Sequence, residues 1–230
     1  MSNDALIKTI DLHKVYKTEA VETPALNGVD LELHQREFTA VAGPSGSGKS
    51  TLLHLLGGLD RPTRGEILLD GVKLSDLSRD ALSRLRLERV GFVFQAYNLI
   101  PVLTVLENTA FILELQGVVK GERIKRARAL LAELGIEQYA NQFPSRISGG
   151  EQQRAAVARA VLAEPSIVLA DEPTANLDTE HSLELIDLMR RLNEEKGATF
   201  FFATHDTRLL DRVSRLITLV DGRITRDEKR

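Results

Sequence analysis

The segment that most limits the fold of this chain is a glycine-rich turn between two regular runs. Residues 38–42 form a short apolar stretch typical of a buried strand, and residues 50–59 have a helical pattern. Between them the chain reads Gly-Pro-Ser-Gly-Ser-Gly-Lys, and its glycines allow the backbone to curl so that several N–H groups face one anion. The segment therefore predicts a strand, a phosphate-binding turn and a helix, in that order.

The same segment fits the pattern G-x-x-x-x-G-K-[ST] of a P-loop. Lys49 would place its charge on the outer phosphates of a nucleotide, and the hydroxyl of Ser50 would bind Mg²⁺. The following helix adds its positive N-terminal end. The alternative is an ordinary Gly-Ser turn, which the flanking strand and helix disfavour. The predicted nucleotide-binding residues are Gly43, Pro44, Ser45, Gly46, Ser47, Gly48, Lys49, Ser50 and Thr51.

Two carboxylates follow a second apolar run, residues 167–170. Ligands of open α/β sheets lie outside the carboxyl ends of the strands, so Asp171 and Glu172 would face a nucleotide bound there. Asp171 is the predicted Mg²⁺ ligand, and Glu172 would polarise an attacking water as a general base. Taken alone, two acids after a strand also fit a solvated loop. Together with the P-loop they predict a nucleotide-hydrolysing site.

The remaining pattern alternates strands with helices. Residues 167–170 and 200–203 are apolar on both faces and flank a helical pattern at 180–196, which indicates a parallel sheet covered on both sides. Capping boxes of Thr104 with Glu107 and of Ser148 with Glu151 open two helices in the middle of the chain. Further predicted elements are strands at residues 6–12, 29–33, 65–69 and 216–220 and a helix at residues 122–134.

Composition excludes several classes of protein. The net charge of −3 argues against a protein that binds nucleic acid through a basic surface. The absence of cysteine excludes a disulfide scaffold and thiolate zinc sites. No apolar stretch approaches the ~18 residues of a membrane span, and residues 1–9 lack the apolar core of a signal peptide. A role at a membrane would therefore need a second chain that spans the bilayer.

Residues 147–154 read Ile-Ser-Gly-Gly-Glu-Gln-Gln-Arg and resemble the L-S-G-G-Q signature of the ABC ATPases. Ile147 and Glu151 depart from that pattern. The resemblance implies that this loop reaches across a dimer interface to the γ-phosphate held by the other subunit. A Ser and two glycines at a helix N-terminus expose donors to an anion, although Ser148 could also be a simple helix cap. The signature residues implied to bind nucleotide are Ser148, Gly149, Gly150 and Glu151.

Other elements resemble the same family in order along the whole chain. Tyr16 matches the aromatic residue that stacks on adenine, and Gln95 matches the glutamine that senses Mg²⁺ and the attacking water. Asp178 matches the D-loop aspartate at the nucleotide. His205 matches the switch histidine that contacts the γ-phosphate. The resemblance therefore implies catalytic roles for Lys49, Gln95, Glu172 and His205, and Mg²⁺ ligation by Ser50, Gln95 and Asp171.

The resemblance also implies a fold and partners. It implies one α/β domain, a P-loop NTPase over residues 1–230, with a RecA-like, mostly parallel sheet core and an N-terminal antiparallel β subdomain at residues 1–95 and 165–230. A helical subdomain would be inserted at residues 96–164. The implied cofactors are ATP and Mg²⁺, and the implied partners are a second copy of the chain and a transmembrane permease, with no nucleic acid. The expected location is the cytoplasmic face of the inner membrane.

Residues 52–60, 91–101 and 170–178 resemble, more narrowly, the MacB/LolD group, which includes ATPases of lipoprotein release and of macrolide or peptide export. The alternative is a regulatory ATPase, as in division-linked relatives, that signals through a membrane partner without transport. Soluble DNA-repair members insert a long coiled coil between the two ATPase halves, and only short helices are predicted here. The apolar residues 96–103, with Leu99 at their centre, would either border the partner's groove or form a buried hinge.

Overall fold

The computed structural model describes residues 5–17 and 21–230. It has an α/β fold with two sheets and six α-helices in the described residues, which confirms the predicted fold class. The helices are α1 (Lys49–Leu56), α2 (Arg79–Arg89), α3 (Val105–Leu115), α4 (Lys120–Glu133), α5 (Gly149–Val161) and α6 (Thr179–Lys196). The strands are β1 (Ile7–Lys17), β2 (Glu22–Leu33), β3 (Phe38–Ala42), β4 (Arg64–Leu69), β5 (Val72–Lys73), β6 (Val90–Val93), β7 (Ile167–Asp171), β8 (Phe200–Thr204), β9 (Arg215–Val220) and β10 (Arg223–Lys229).

The larger sheet has the order β10-β9-β3-β8-β7-β6. Strands β9, β3, β8, β7 and β6 are parallel, and β10 is an antiparallel edge strand. The central strands are buried on both faces, as the three fully buried side chains Phe200, Phe201 and Phe202 show. This agrees with the prediction from the continuous apolar runs. The carboxyl ends of β3, β7 and β8 consequently lie at one edge of the sheet.

The smaller sheet is antiparallel, with the order β2-β1-β4-β5. Helix α1 lies between the two sheets, because its leucines share one core with residues of both. Leu52, Leu53, Leu55 and Leu56 pack in this core with Val29 of β2 and with other apolar residues of both sheets, among them Ile7, Leu169, Phe201 and Ile217. The P-loop helix is thus fixed by hydrophobic burial on two sides.

Helices α3, α4 and α5 pack together and share a second core with one face of the parallel sheet. Both predicted capping boxes are present: Thr104 caps α3 with Glu107, and Ser148 caps α5 with Glu151. The three helices fall between residues 105 and 161, inside the predicted helical subdomain at 96–164. In the described residues, none of the helices has the length and apolar character needed to cross a bilayer.

Some elements differ from the sequence prediction. Strand β1 continues past residue 12, the predicted end. The prediction stops short because a bulge at Asp11, whose φ is +46°, interrupts the apolar alternation. Helix α1 ends at Leu56 rather than residue 59, since the chain enters a left-handed conformation at Gly58. Helix α2 and strands β5, β6 and β10 were not predicted. Helix α2 and strand β10 are rich in charged residues, and β5 and β6 have only two and four residues, so apolar periodicity gives little signal for them.

Candidate nucleotide site

The P-loop runs from the end of β3 into α1 and is held close to neighbouring backbone. Gly46 and Gly48 have φ angles of +79° and +103°, which L-residues with side chains rarely adopt. A Cβ on Gly43 would lie 2.0 Å from the Leu219 carbonyl oxygen, and a Cβ on Gly48 would lie 2.4 Å from that of Ala25. The glycines therefore serve both the curl of the loop and its close approach to β9 and β2.

The loop lines an open cleft of about 550 Å³. Lys49 is largely buried, and its Nζ donates hydrogen bonds to the carbonyl oxygens of Gly43 (2.9 Å) and Pro44 (3.0 Å). The Oγ of Ser47 is buried and has no hydrogen-bond partner among the described residues. A buried cation and an unpaired hydroxyl at a helix N-terminus suit a phosphate group. The lining residues are Ala25, Ser45, Gly46, Ser47, Gly48, Lys49, Ser50, Thr51, Gln95, Glu172 and His205.

Ser50 and Asp171 come together although they are far apart in sequence. The Ser50 hydroxyl donates to Asp171 Oδ1 at 2.9 Å, and His54 Nε2 lies 3.9 Å from Asp171 Oδ2. A hydroxyl and a carboxylate are the hard oxygen ligands that Mg²⁺ takes, with phosphate oxygens and water completing its shell. The residues present therefore fit a magnesium ion at this position.

Glu172 lies at the cleft in a strained conformation. Its φ is +50°, which is unusual for a residue with a side chain, and its backbone N–H donates to the Ala203 carbonyl at 3.1 Å. The bond fixes Glu172 to the end of the adjacent strand β8. His205 follows that strand, and its Nδ1 lies 2.6 Å from Glu172 Oε2. Backbone strain held by tertiary bonds is common at functional sites, and here it directs a carboxylate and an imidazole into the cleft.

Gln95 follows β6 and also lines the cleft. Its backbone carbonyl accepts a hydrogen bond from Asn176 Nδ2 at 2.9 Å. Asn176 belongs to the loop between β7 and α6, so this bond joins the loops that follow neighbouring strands. The cleft thus brings together Lys49, Ser50, Gln95, Glu172 and His205 from four separate segments.

The signature residues and Asp178 do not line this cleft. Ser148 and Glu151 satisfy each other at the start of α5, where the Ser148 N–H donates to Glu151 Oε2 at 2.6 Å. Burial acts to raise the pKa of the Glu151 carboxyl, but hydrogen bonds from Tyr139 and Ser148 outweigh it and hold that pKa below its ordinary value. One chain therefore presents the P-loop and the signature as two separate surfaces.

Asp178 is the N-cap of α6, and both of its carboxylate oxygens lie 2.8 Å from His181 Nδ1. The hydrogen bond to Asp178 raises the pKa of His181. The backbone and side-chain N–H groups of His181 in turn lower the pKa of Asp178. A Cβ on Gly150 would lie 3.4 Å from the His181 ring, so the Asp178 loop adjoins the signature rather than the P-loop of its own chain.

Tyr16 is half-exposed on β1 and is not among the residues that line the cleft. Its hydroxyl donates to Asp60 at 3.2 Å, and the Lys14 ammonium lies 4.8 Å from its ring centre. The adenine-stacking role implied for Tyr16 remains a prediction. Sequence reasoning missed Ala25, which lines the cleft from β2, and His54, which faces Asp171. His54 follows Ser50 by four residues on α1 and so shares its face of the helix, whereas Ala25 has no local signal and reaches the site only through packing.

Comparison with known proteins agrees with this geometry. The model of the ABC transporter family matches residues 26–175. The lipoprotein-releasing system ATP-binding protein LolD of Anaeromyxobacter dehalogenans is 44% identical over 231 residues, which cover 99% of this chain and 97% of that protein. The chain belongs to the ABC transporter ATP-binding family. As a cassette of this family it binds ATP, and its likeness to LolD agrees with the MacB/LolD resemblance of its motifs.

The cassette also resembles an ABC transporter ATP-binding protein of Methanocaldococcus jannaschii, MJ0796, with 44% identity over 230 residues, covering 97% of each chain. The dimeric structure of MJ0796 in a post-hydrolysis state, bound to ADP and Pi, has a TM-score of 0.90 to the cassette. The two are 42% identical over 97% of this chain and 98% of that one. The fold of the cassette is therefore that of a known ATP-binding domain.

Proposed function

We propose that the cassette is the Mg²⁺-dependent, ATP-hydrolysing subunit of a transporter. It dimerises around two ATP molecules and drives a separate transmembrane chain at the cytoplasmic face of the inner membrane, in export or lipoprotein release of the MacB/LolD type. The observation that carries the proposal is the division of the site. Lys49, Glu172 and His205 line the P-loop cleft together, whereas the signature lies outside it in the same chain.

The residues of the cleft have distinct tasks in this proposal. Lys49 and the N–H groups of the P-loop bind the phosphates and stabilise the charge that develops in the transition state. Ser50, Gln95 and Asp171 would hold Mg²⁺, which would neutralise the phosphate oxygens. Glu172 accepts the proton of the attacking water. The His205 imidazole, 2.6 Å from the Glu172 carboxylate, holds that carboxylate in position.

A second copy of the cassette supplies the signature that the P-loop cleft of one copy lacks. The signature of one subunit would close the P-loop cleft of the other, so that each ATP lies between two chains. The relative MJ0796 has been solved as a dimer with ADP and Pi, which supports this arrangement. The cassette is therefore expected to be monomeric without ATP and dimeric with ATP bound.

Substitution of the general base gives the test. Glu172→Gln keeps the nucleotide cradle but loses activation of water, which typically lowers the rate by about 10²–10⁴-fold. ATP should then persist, and the variant should elute as a dimer in Mg-ATP on a sizing column. Adding Ser148→Arg should return it to a monomer that still binds ATP. A Glu172→Gln variant that stays monomeric with ATP bound would contradict the composite site.

Thr104→Arg provides a matched control. Thr104 caps α3 with the same two-residue box by which Ser148 caps α5, so both substitutions lose an equivalent helix cap. Only Ser148 is proposed to face the other subunit. The Thr104→Arg variant of Glu172→Gln should therefore still dimerise with ATP. Equal loss of the dimer in both variants would assign the effect of Ser148→Arg to helix stability.

An apolar groove beside the cleft is the proposed seat of the membrane partner. It has a volume of about 420 Å³ and lies between α2, β6, α3 and α5. Leu99 packs against the core of the helical subdomain, whereas Leu59 borders the groove with 46% of its surface exposed. A change at Leu59 is therefore the sharper probe. The aromatic residues that line the groove are Phe92, Phe94 and Phe111.

Affinity purification from native membranes tests the partner. The cassette should retain a multi-span membrane chain, and Leu59→Glu should release it because a charge would be buried in the apolar groove. Val72→Glu is the control, since Val72 is similarly exposed on the antiparallel sheet. ATP binding by both variants should remain normal. Retention of the membrane chain by Leu59→Glu would exclude this groove as its seat.

A further inference from the structure

The turn after Gln95 has an unusual backbone. Tyr97 and Asn98 both have positive φ angles, +62° and +51°. Two successive left-handed residues that are not glycine are rare, because the Cβ of each meets a backbone carbonyl oxygen. Within the turn, the Tyr97 N–H donates to the Phe94 carbonyl (3.1 Å) and the Asn98 N–H donates to the Ala96 carbonyl (2.6 Å). A strained segment of this kind persists only when its surroundings fix it.

Arg159 of helix α5 provides that fixation. One guanidinium nitrogen donates to the Asn98 carbonyl at 2.6 Å, and the other donates to the Tyr97 carbonyl at 3.0 Å. The planar guanidinium thus holds both carbonyls in one direction, and charge-assisted bonds of this type are strong. Arg159 and the strained turn are 61 and 62 residues apart in the chain, so only the fold brings them together.

The turn that Arg159 holds also contacts the signature. A Cβ on Gly149 would lie 2.7 Å from the Tyr97 hydroxyl, so this side chain is packed against the first turn of α5. Gln95, at the start of the same segment, lines the P-loop cleft. Asn98 and Arg159 line the apolar groove on the other side. The turn therefore lies between the cleft, the groove and the signature.

We propose that Arg159 is a positioning residue for the signature: it holds Tyr97 and Asn98 in the left-handed conformation that places the Tyr97 side chain against Gly149. Without the clamp the turn relaxes, Tyr97 withdraws and the start of α5 is no longer held where a second subunit needs it. This inference rests on the proposed function, in which the signature completes the site of the partner copy. Arg159 touches no nucleotide in this proposal and acts only through the turn.

ATP-dependent dimerisation in the Glu172→Gln background measures the effect. Arg159→Gln should raise the dimer dissociation constant about tenfold, because two charge-assisted bonds to the turn are lost. ATP binding by the monomer should stay unchanged, since the P-loop is intact. Arg126→Gln is the control: Arg126 also donates to a backbone carbonyl, that of Leu162, at 3.1 Å, but it does not contact the turn. Equal weakening by both variants would overturn the proposal.

Two further variants separate positioning from general loss of structure. Tyr97→Ala should weaken the dimer as much as Arg159→Gln, and the double variant should be no weaker than either, because both act through one contact. Asn98→Gly should restore about threefold of the affinity lost in Arg159→Gln, since glycine adopts positive φ without strain. Additive losses, or no rescue by Asn98→Gly, would overturn the proposal. If Glu172→Gln alone does not dimerise, the proposed function fails instead.

Discussion

The starts of helices α1 and α5 are both rich in Ser and Gly, yet they differ in how their N–H groups are satisfied. Helix α1 begins after Gly48, and no side chain caps it. Helix α5 begins after Ser148, which forms a reciprocal capping box with Glu151. The first helix thus offers free donors to an anion, while the second has already engaged part of its own.

In the proposed dimer, this difference means that the α1 surface is complete in a single chain and the α5 surface is not. The α1 donors, together with Lys49, form a positive cradle that needs only phosphate. At α5 the Glu151 carboxylate partly neutralises the positive helix end, so the signature alone is a weak anion site. A phosphate that is already held by a P-loop can add the interactions that the signature lacks. The two helix starts therefore favour a signature that binds phosphate only when the P-loop of the other subunit already holds the nucleotide.

Loss of the Lys49 charge is the strongest test of the start of α1. Lys49→Ala removes the ammonium that is proposed to neutralise the outer phosphates, and ATP hydrolysis should fall by about 10²–10³-fold or more. Ser148→Ala, the matched change on the α5 side, should slow hydrolysis yet leave ATP binding by the monomer intact. Hydrolysis rates and nucleotide titrations of the two variants provide the measurement. Near-normal turnover by Lys49→Ala would refute the role of the P-loop.

Gly43 and Gly149 test the two helix starts through steric crowding. An added methyl on Gly43 meets the Leu219 backbone at 2.0 Å, whereas one on Gly149 meets only the Tyr97 hydroxyl, at 2.7 Å, and next the ring carbon Cζ at 3.7 Å. Gly43→Ala should therefore destabilise the fold by about 1–3 kcal/mol. Gly149→Ala should weaken the ATP-dependent dimer, and Tyr97→Phe should restore it. Denaturant unfolding and sizing columns test the pair, and failure of the rescue would place the crowding elsewhere.

The capping box of α5 makes a small, pH-dependent contribution to stability. Because hydrogen bonds hold the pKa of Glu151 low, its contribution to stability is full above the ordinary glutamate pKa of about 4.3. That contribution is lost as the pH falls through the lower pKa of the folded state. Tyr139→Phe removes one of these bonds and should raise the Glu151 pKa in a carboxyl NMR titration.

Glu107 is the internal control for that titration. The backbone N–H and hydroxyl of Thr104 lower its pKa, and these bonds do not involve Tyr139. Tyr139→Phe should leave the Glu107 titration unchanged. An unmoved Glu151 midpoint would show that the Tyr139 bond does not shape the cap.

Local patterns sufficed for the P-loop, for strands β3, β7, β8 and β9 and for the capping boxes. Strands β3 and β7 and helix α6 lie within one residue of their predicted bounds at each end, because continuous apolar runs and Ser, Thr or Asp caps are short-range signals. Helix α2 and strand β10 were not predicted, since their positions depend on what they pack against. Strand β10 is fixed at the sheet edge by Asp227, whose carboxylate binds Arg215 of β9 at 2.7–2.8 Å.

Local sequence patterns predict a P-loop with Lys49, a metal pair of Ser50 and Asp171, a base at Glu172 and, outside the cleft, a family signature. Where these groups lie relative to one another depends on the tertiary structure. It joins Ser50 to Asp171, sets Glu172 at positive φ beside His205, and fastens the Tyr97 turn to Arg159. Residue type and spacing specify helices, turns and caps within a few positions, whereas contacts between residues far apart in the chain arise from sheet order and core packing.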